Sequence, residues 1–175
     1  MFIELVQVRT ANPVDPHEEY DENLHDVNAI IMDLCIALGD THAFEFRISG
    51  FGDDRWPVDV TTDLATVLRQ LPDVLAKCAK GDPFVLDLFE QGVERRLEFS
   101  PLHGLHEVRC SSGTAWRPRS QSEKIETTAL IAMLHDLKST FCHICEKLLP
   151  QTSAHPWFQT YAHYRPERVR DGVEI

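Results

Sequence analysis

The sequence predicts an α+β fold, an antiparallel sheet of about five to six strands packed with helices, including one long C-terminal helix. Three patterns support this class. Apolar and charged side chains alternate at residues 44–48, two strand-like segments flank a glycine turn within residues 84–99, and a helical apolar stripe extends over residues 122–149. With 175 residues, 43% of them hydrophobic, the chain fits a single α+β domain, which we place at residues 1–164.

The first third is predicted to form a strand, a helix and a second strand. Residues 2–9 are rich in β-branched side chains and precede two prolines, which favours a strand. A helix then begins near Asp21 or Asn23, the candidate N-caps, and stops at Gly39. Its apolar residues are Leu24, Val27, Ile31, Leu34, Ile36 and Leu38. Residues 43–49 are the clearest strand, because their apolar side chains fall on one face.

A turn-rich segment and a second helix follow. Residues 50–57 contain the glycines, aspartates and proline of a turn-rich connection, after which Val58 and Val60 are predicted to form a short edge strand. Residues 62–80 have apolar side chains at helical spacing, interrupted by Pro72. A proline inside a helix removes a hydrogen bond and clashes with the preceding turn, at a cost of about 3 kcal/mol. We therefore expect a kink there or two short helices that abut.

The middle of the chain is predicted to form an antiparallel meander. Segments 84–89 and 93–99 form a hairpin, with Gly92 suited to the positive φ of its turn. Residues 105–110 supply a third strand, and the segment around residues 114–116 supplies a fourth. Because the connections are short, neighbouring strands are expected to be antiparallel.

The last third contains the longest predicted helix, at residues 122–149, with Ser122 as its N-cap and Pro150 as its stop. Its apolar stripe comprises Leu130, Leu134, Leu137, Phe141, Ile144 and Leu148. We interpret this stripe as the face that covers the sheet, and an oligomerisation surface is the alternative. A short helix begins at His155, and residues 165–175 are polar enough to form a mobile tail.

Negative charge is concentrated in the first third. The net charge is −11, and residues 1–63 contain 14 acidic residues against three arginines, whereas the other 112 residues are neutral as a block. Such a field repels phosphate backbones and attracts basic surfaces. We therefore expect a basic protein partner and no direct nucleic-acid binding, the alternative being an acidic face that only maintains solubility. The candidate partner-binding residues here are Glu18, Glu19, Asp21 and Glu22.

A second candidate contact surface is the loop that contains Asp53, Asp54, Arg55 and Trp56. An exposed tryptophan and arginine beside carboxylates have the composition of a binding hot spot for a basic protein. The alternative places Trp56 in the interior, as a lid over the end of the sheet.

Cys142 and Cys145 form a C-x-x-C motif, the spacing of many zinc and thiol-exchange sites. The sequence contains no second ligand pair of similar spacing, and the motif lies late in a predicted helix, away from the N-terminal end that stabilises a thiolate. We interpret Cys145 as a small core residue. A small metal- or thiol-dependent enzyme or sensor built on the two cysteines is the alternative function. Five cysteines, an odd number, indicate reduced thiols.

The sequence contains no catalytic or phosphate-binding motif of high specificity: G-x-S-x-G, H-E-x-x-H and a complete glycine-rich phosphate loop are missing. We therefore expect no enzymatic activity and no cofactor. No apolar stretch approaches the roughly 18–20 residues that a membrane span needs, and the first residues lack the basic region of a secretory signal. These observations predict a cytoplasmic protein without a membrane partner.

Four segments resemble a group of small bacterial proteins encoded beside polymorphic secreted toxins. They are residues 51–64, residues 88–99, the Cys110-Ser-Ser sequence with Trp116 and Pro118, and residues 155–158, which together span about residues 44–158. The proteins of this group are immunity factors. The resemblance implies a non-enzymatic inhibitor that binds a cognate toxin domain and blocks its active site.

Overall fold

The computed structural model describes residues 1–14, 19–90 and 93–166, and within them the chain forms six strands and five helices. The strands are β1 (Phe2–Gln7), β2 (Phe44–Ser49), β3 (Phe84–Glu90), β4 (Val93–Leu102), β5 (Leu105–Ser112) and β6 (Ser122–Glu126). The helices are α1 (Val27–Asp40), α2 (Asp63–Lys80), α3 (Thr127–Leu148), α4 (Pro150–Ser153) and α5 (Pro156–His163). The predicted α+β class is confirmed, although the strands form two antiparallel sheets, β1–β2 and β3–β4–β5–β6, where one was predicted.

The long helix α3 lies at the centre of the packing. All six residues of its predicted stripe are buried, and the helix packs against α2 and against β1. The stripe is therefore the face that covers the core. Among the described residues, the structure contains no helix with the length and apolar character of a membrane span.

Helix α1 begins later than predicted. Its N-cap is Asp26, whose side chain accepts hydrogen bonds from the backbone N–H groups of Asn28 and Ala29. The predicted cap Asp21 instead accepts the backbone N–H of Asn23, so both predicted caps belong to a turn before the helix. Leu24, predicted on the apolar face, is accordingly 78% exposed, and Gly39 lies inside the last turn instead of stopping the helix.

Helix α2 is continuous through Pro72, so the prediction of two abutting helices is wrong. Proline cannot donate the hydrogen bond that would reach the carbonyl of Leu68 one turn earlier. That carbonyl instead accepts the hydroxyl group of Tyr161 at 3.0 Å, a buried contact from α5. The helix ends at Gly81, whose φ of 72° is the left-handed conformation of a helix C-cap.

The predicted meander is confirmed for three strands and corrected for the fourth. Strands β4 and β5 are joined by His103 and Gly104, which both have positive φ, as a two-residue hairpin requires. The fourth strand is β6, which pairs with β5, and not the segment around residues 114–116. Ser122 therefore begins a strand and is not a helix cap.

Two further predictions concern an edge strand after the loop and the residues of a turn and the tail. Val58 and Val60 do not form a strand; Val60 is buried beside the start of α2. The predicted turn residue Gly92 and residues 167–175 of the predicted tail lie outside the described residues.

The free edge of β3 is covered by a side chain of α2. The amide group of Gln70 donates to the carbonyl of Asp87 at 2.7 Å and accepts the N–H of the same residue at 3.0 Å. One side chain thus satisfies both backbone groups that Asp87 turns away from β4.

Candidate functional site

The loop at residues 50–56 is folded back onto strand β2. Gly50 and Asp53 exchange two backbone hydrogen bonds, of 2.8 and 3.1 Å, which close the turn. Within the turn, Phe51 has a φ of 58°. The backbone N–H of Trp56 then donates to the carbonyl of Ile48 in β2 at 2.9 Å. The loop is therefore fixed at both of its ends.

Trp56 holds this loop from the inside. Its side chain is only 2% exposed and packs against the rings of Phe51 and Trp116, at centroid distances of 5.8 and 4.5 Å. The indole N–H donates to the carbonyl of Gly50 at 3.2 Å. Of the two interpretations that the sequence left open, the structure supports the buried lid. Trp56 is not an exposed hot-spot residue, because burial in this aromatic cluster leaves it almost no surface.

Asp53 is tied to the same cluster. Its Oδ2 atom accepts the indole N–H of Trp116 at 2.9 Å, and its side chain is half-buried. Trp116 lies in the segment between β5 and β6, so this hydrogen bond connects the loop to the four-stranded sheet. We conclude that Asp53 positions the loop, and that its neighbour Asp54, which is exposed, is the carboxylate available at the surface.

A buried ion pair lies behind Trp116. The guanidinium group of Arg95 in β4 is 6.0 Å from the Trp116 ring centroid and 3.8 Å from a carboxylate oxygen of Asp63 in α2. Arg95 is 4% exposed, and its Nε and Nη1 atoms have no hydrogen-bond partner among the described residues. The nearby carboxylate of Asp63 offsets part of this buried positive charge.

The cluster joins segments that are distant in the sequence. Residues 51–56, Arg95 and Trp116 belong to three of the four segments on which the family resemblance rests. Comparison with family models, curated proteins and solved structures found no match for this chain. The resemblance therefore remains a prediction, and the site must be interpreted from its own geometry.

The outer side of the loop has mixed charge. Arg55 is exposed and its Nη2 atom lies 3.2 Å from Oε2 of Glu45, which also accepts the Nε–H of Arg47 at 3.0 Å. The hydrogen bond from Arg47 and the charge of Arg55 hold the pKa of Glu45 below its ordinary value. Arg119 packs so closely on this loop that a Cβ at Gly52 would lie 2.8 Å from its Cβ. The outer side of the loop thus carries an exposed arginine as well as the exposed carboxylate of Asp54.

The acidic candidate surface, residues 19–26, has a more uniform charge than the loop at residues 50–56. Glu19, Asp21 and Glu22 are exposed, and these eight residues contain no lysine or arginine. The backbone and side-chain N–H groups of Asn23 donate to Asp21, which lowers the pKa of its carboxyl group. The fourth predicted residue, Glu18, lies outside the described residues.

One aromatic side chain attaches this acidic segment to the helices. The hydroxyl group of Tyr20 donates to Asp33 of α1 at 3.0 Å. Its ring makes edge contacts with His25 and with His155, at centroid distances of 5.9 and 5.3 Å. The acidic segment is therefore attached through Tyr20 to α1 and to the start of α5.

The cysteine pair lies in the core. Cys142 and Cys145 are both buried and are not in a disulfide. Burial raises the pKa of Cys142 to about 11 and that of Cys145 well above its ordinary value, so both are neutral thiols at physiological pH. In the described part of the chain, the structure contains no cluster of three or more His, Cys, Asp or Glu residues arranged to hold a metal ion. The geometry favours a packing role for the pair.

Proposed function

We propose that this chain is a non-enzymatic immunity-type inhibitor that binds a cognate secreted toxin domain and occludes its active site. The observation that carries the proposal is that carboxylates of the negatively charged first third lie on the surface. Glu19, Asp21, Glu22 and Asp54 are all exposed. An acidic surface of this kind accelerates encounter with a basic partner. The resemblance to immunity factors supplies the class of partner.

The chemistry of the partner follows from the sign of the charge. A toxin that cuts or modifies nucleic acid needs a basic cleft to hold phosphates. Carboxylates that enter such a cleft replace the phosphates and block the substrate. In this proposal the segment at residues 19–26 supplies most of the attraction, and Asp54 with Arg55 supplies a fixed contact on a braced loop. Asp53 and Trp56 support that loop from beneath.

The direct experiment tests the protein encoded by the adjacent reading frame as the candidate toxin. Co-expression with this chain is expected to restore growth of cells that the toxin alone arrests, and the two purified proteins are expected to form a stable stoichiometric complex. The variant Glu19→Lys/Glu22→Lys is expected to bind more slowly, whereas Glu146→Lys, an exposed charge reversal on α3, serves as the control. Full toxicity in the presence of folded wild-type chain contradicts the proposal.

The alternative of a metal- or thiol-dependent activity at Cys142 and Cys145 has its own test. Elemental analysis of the purified protein that finds one tightly held zinc ion per chain, lost on Cys142→Ser, favours that alternative over inhibition. The buried, neutral state of both thiols weighs against thiol chemistry at this pair.

A further inference from the structure

A groove of about 1100 Å³ lies between the C-terminal turn of α2, the N-terminal half of α3 and residues 162–166. Ile131, which is half-buried, and Ala132, which is exposed, provide apolar surface along it. Its volume, near the upper end of the roughly 300–1000 Å³ of pockets for small molecules, is also large enough for a short segment of polypeptide.

The charge of this groove is opposite to that of the chain. Lys80, Lys138 and Arg165 line it together with His135. The lining residues, all within the described ranges, include no aspartate or glutamate, although the chain as a whole has a net charge of −11. A positively charged groove with apolar walls selects a ligand that carries carboxylates beside apolar side chains.

Lys138 fixes one wall of the groove. Its ammonium group donates to the carbonyls of Ala162 and Tyr164, at 2.9 and 3.0 Å, and lies 5.1 Å from the ring centroid of Tyr161. The side chain is only 5% exposed, and burial lowers its pKa. These contacts hold residues 162–164 against α3, so the groove is built by specific contacts and is not a gap between loosely attached segments.

We propose that this groove is a docking site for an acidic, partly apolar segment of a partner protein. Carboxylates of the segment pair with Lys80 and Arg165 at the rim, and its apolar side chains contact Ile131 and Ala132. The inference is independent of the proposed inhibition, because that function uses the acidic loops and requires a partner of the opposite charge.

The test selects peptides from a random library of about twelve residues on immobilised wild-type protein. Peptides that also bind the variant Lys80→Glu/Arg165→Glu are subtracted, which removes ligands of the acidic loops. We expect the remaining peptides to carry net negative charge and apolar residues, and to bind about tenfold more weakly to the double variant. The control Lys147→Glu reverses an exposed charge at the far end of α3 and is expected to leave binding unchanged.

NMR titration of one selected peptide locates the site. Shifts confined to residues of α2 and α3 that line the groove, and their loss in Ala132→Glu, support the proposal. It is overturned if the subtraction leaves no peptide, if the remaining peptides have no acidic excess, or if the shifts lie elsewhere. Binding that appears only after the chain is shortened to end at Pro166, or concentration-dependent self-association lost in the double variant, overturns it by identifying a different occupant.

Discussion

The two predicted contact regions, residues 50–56 and residues 19–26, combine charge and support in opposite ways. The first is braced by a buried tryptophan, two backbone hydrogen bonds and the bond from Trp116 to Asp53, but it also contains Arg55 and is packed against Arg119. The second has no arginine or lysine of its own, and Tyr20 is its aromatic anchor to the helices. The comparison separates two requirements of a binding surface: a fixed geometry, which favours a long-lived complex, and a strong field, which favours rapid association.

The largest expected effect is on stability, and it comes from removing the buried tryptophan that braces the first region. Trp56→Ala deletes a fully buried indole and leaves a cavity between Phe51 and Trp116, so we expect a loss of about 3–5 kcal/mol in the free energy of unfolding. Leu24→Ala, in the second region, removes a side chain that is 78% exposed and is expected to change stability by less than about 0.5 kcal/mol. Urea unfolding measures both, and comparable losses in the two variants would remove the distinction.

Adjacent aspartates in the first region provide a matched pair. Asp53→Ala breaks the hydrogen bond from Trp116 and is expected to cost about 1–2 kcal/mol of stability, with a change in tryptophan fluorescence. Asp54→Ala alters an exposed carboxylate and is expected to leave both stability and fluorescence unchanged. If Asp53→Ala is as stable as the wild type, Asp53 is a surface residue and not a positioning residue.

Charge-reversal variants measure how much each region contributes to the rate of association with the partner. With the cognate partner at low salt, Glu19→Lys/Glu22→Lys is expected to slow association about tenfold, because no neighbouring cation screens these side chains within their segment. Asp54→Lys is expected to slow it only about twofold, since its loop also contains Arg55 and is packed against Arg119. Stopped-flow measurement over a range of ionic strength checks the ranking, and a larger effect at Asp54 would reverse it.

The smallest effect concerns one carboxyl group of the acidic segment. Hydrogen bonds from Asn23 lower the pKa of Asp21 in the folded chain, so the stabilisation they provide is present above the ordinary pKa of 3.8 and is lost as the pH falls through the lowered value. We expect Asn23→Ala to move the pKa of Asp21 upward, towards 3.8, in an NMR titration. An unchanged pKa would show that the turn does not persist in solution.

Part of the fold could be predicted from sequence patterns that lie within a single strand or helix. Strand β2 and the stripe of α3 were predicted because each buries one face of a regular periodicity. Strand β6 was missed because its sequence, Ser-Glu-Lys-Ile-Glu, is rich in helix-forming residues, and only pairing with β5 makes it a strand. In α2, the carbonyl of Leu68, which Pro72 cannot serve as a donor, accepts a hydroxyl group 93 residues away, and no local pattern reveals that contact.

The candidate site was predictable in composition but not in arrangement. The sequence alone shows that the acidic residues are concentrated in the first third. Glu19, Asp21, Glu22 and Asp54 are exposed, as a charged surface requires. The contacts of Trp56 and Asp53 with Trp116 could not be predicted, because they join segments that are distant in the sequence. The basic groove was missed for the same reason: its lysines and arginine come from separate helices and the segment that follows α5.

The contact of Gln70 with Asp87 has a consequence for behaviour at high concentration. Unprotected outer strands of a sheet recruit strands from other molecules and thereby seed fibres. Because the amide of Gln70 occupies both backbone groups of Asp87, a strand of another molecule cannot form hydrogen bonds with these groups at the middle of β3. This side chain therefore protects the middle of the β3 edge against pairing with strands of other molecules.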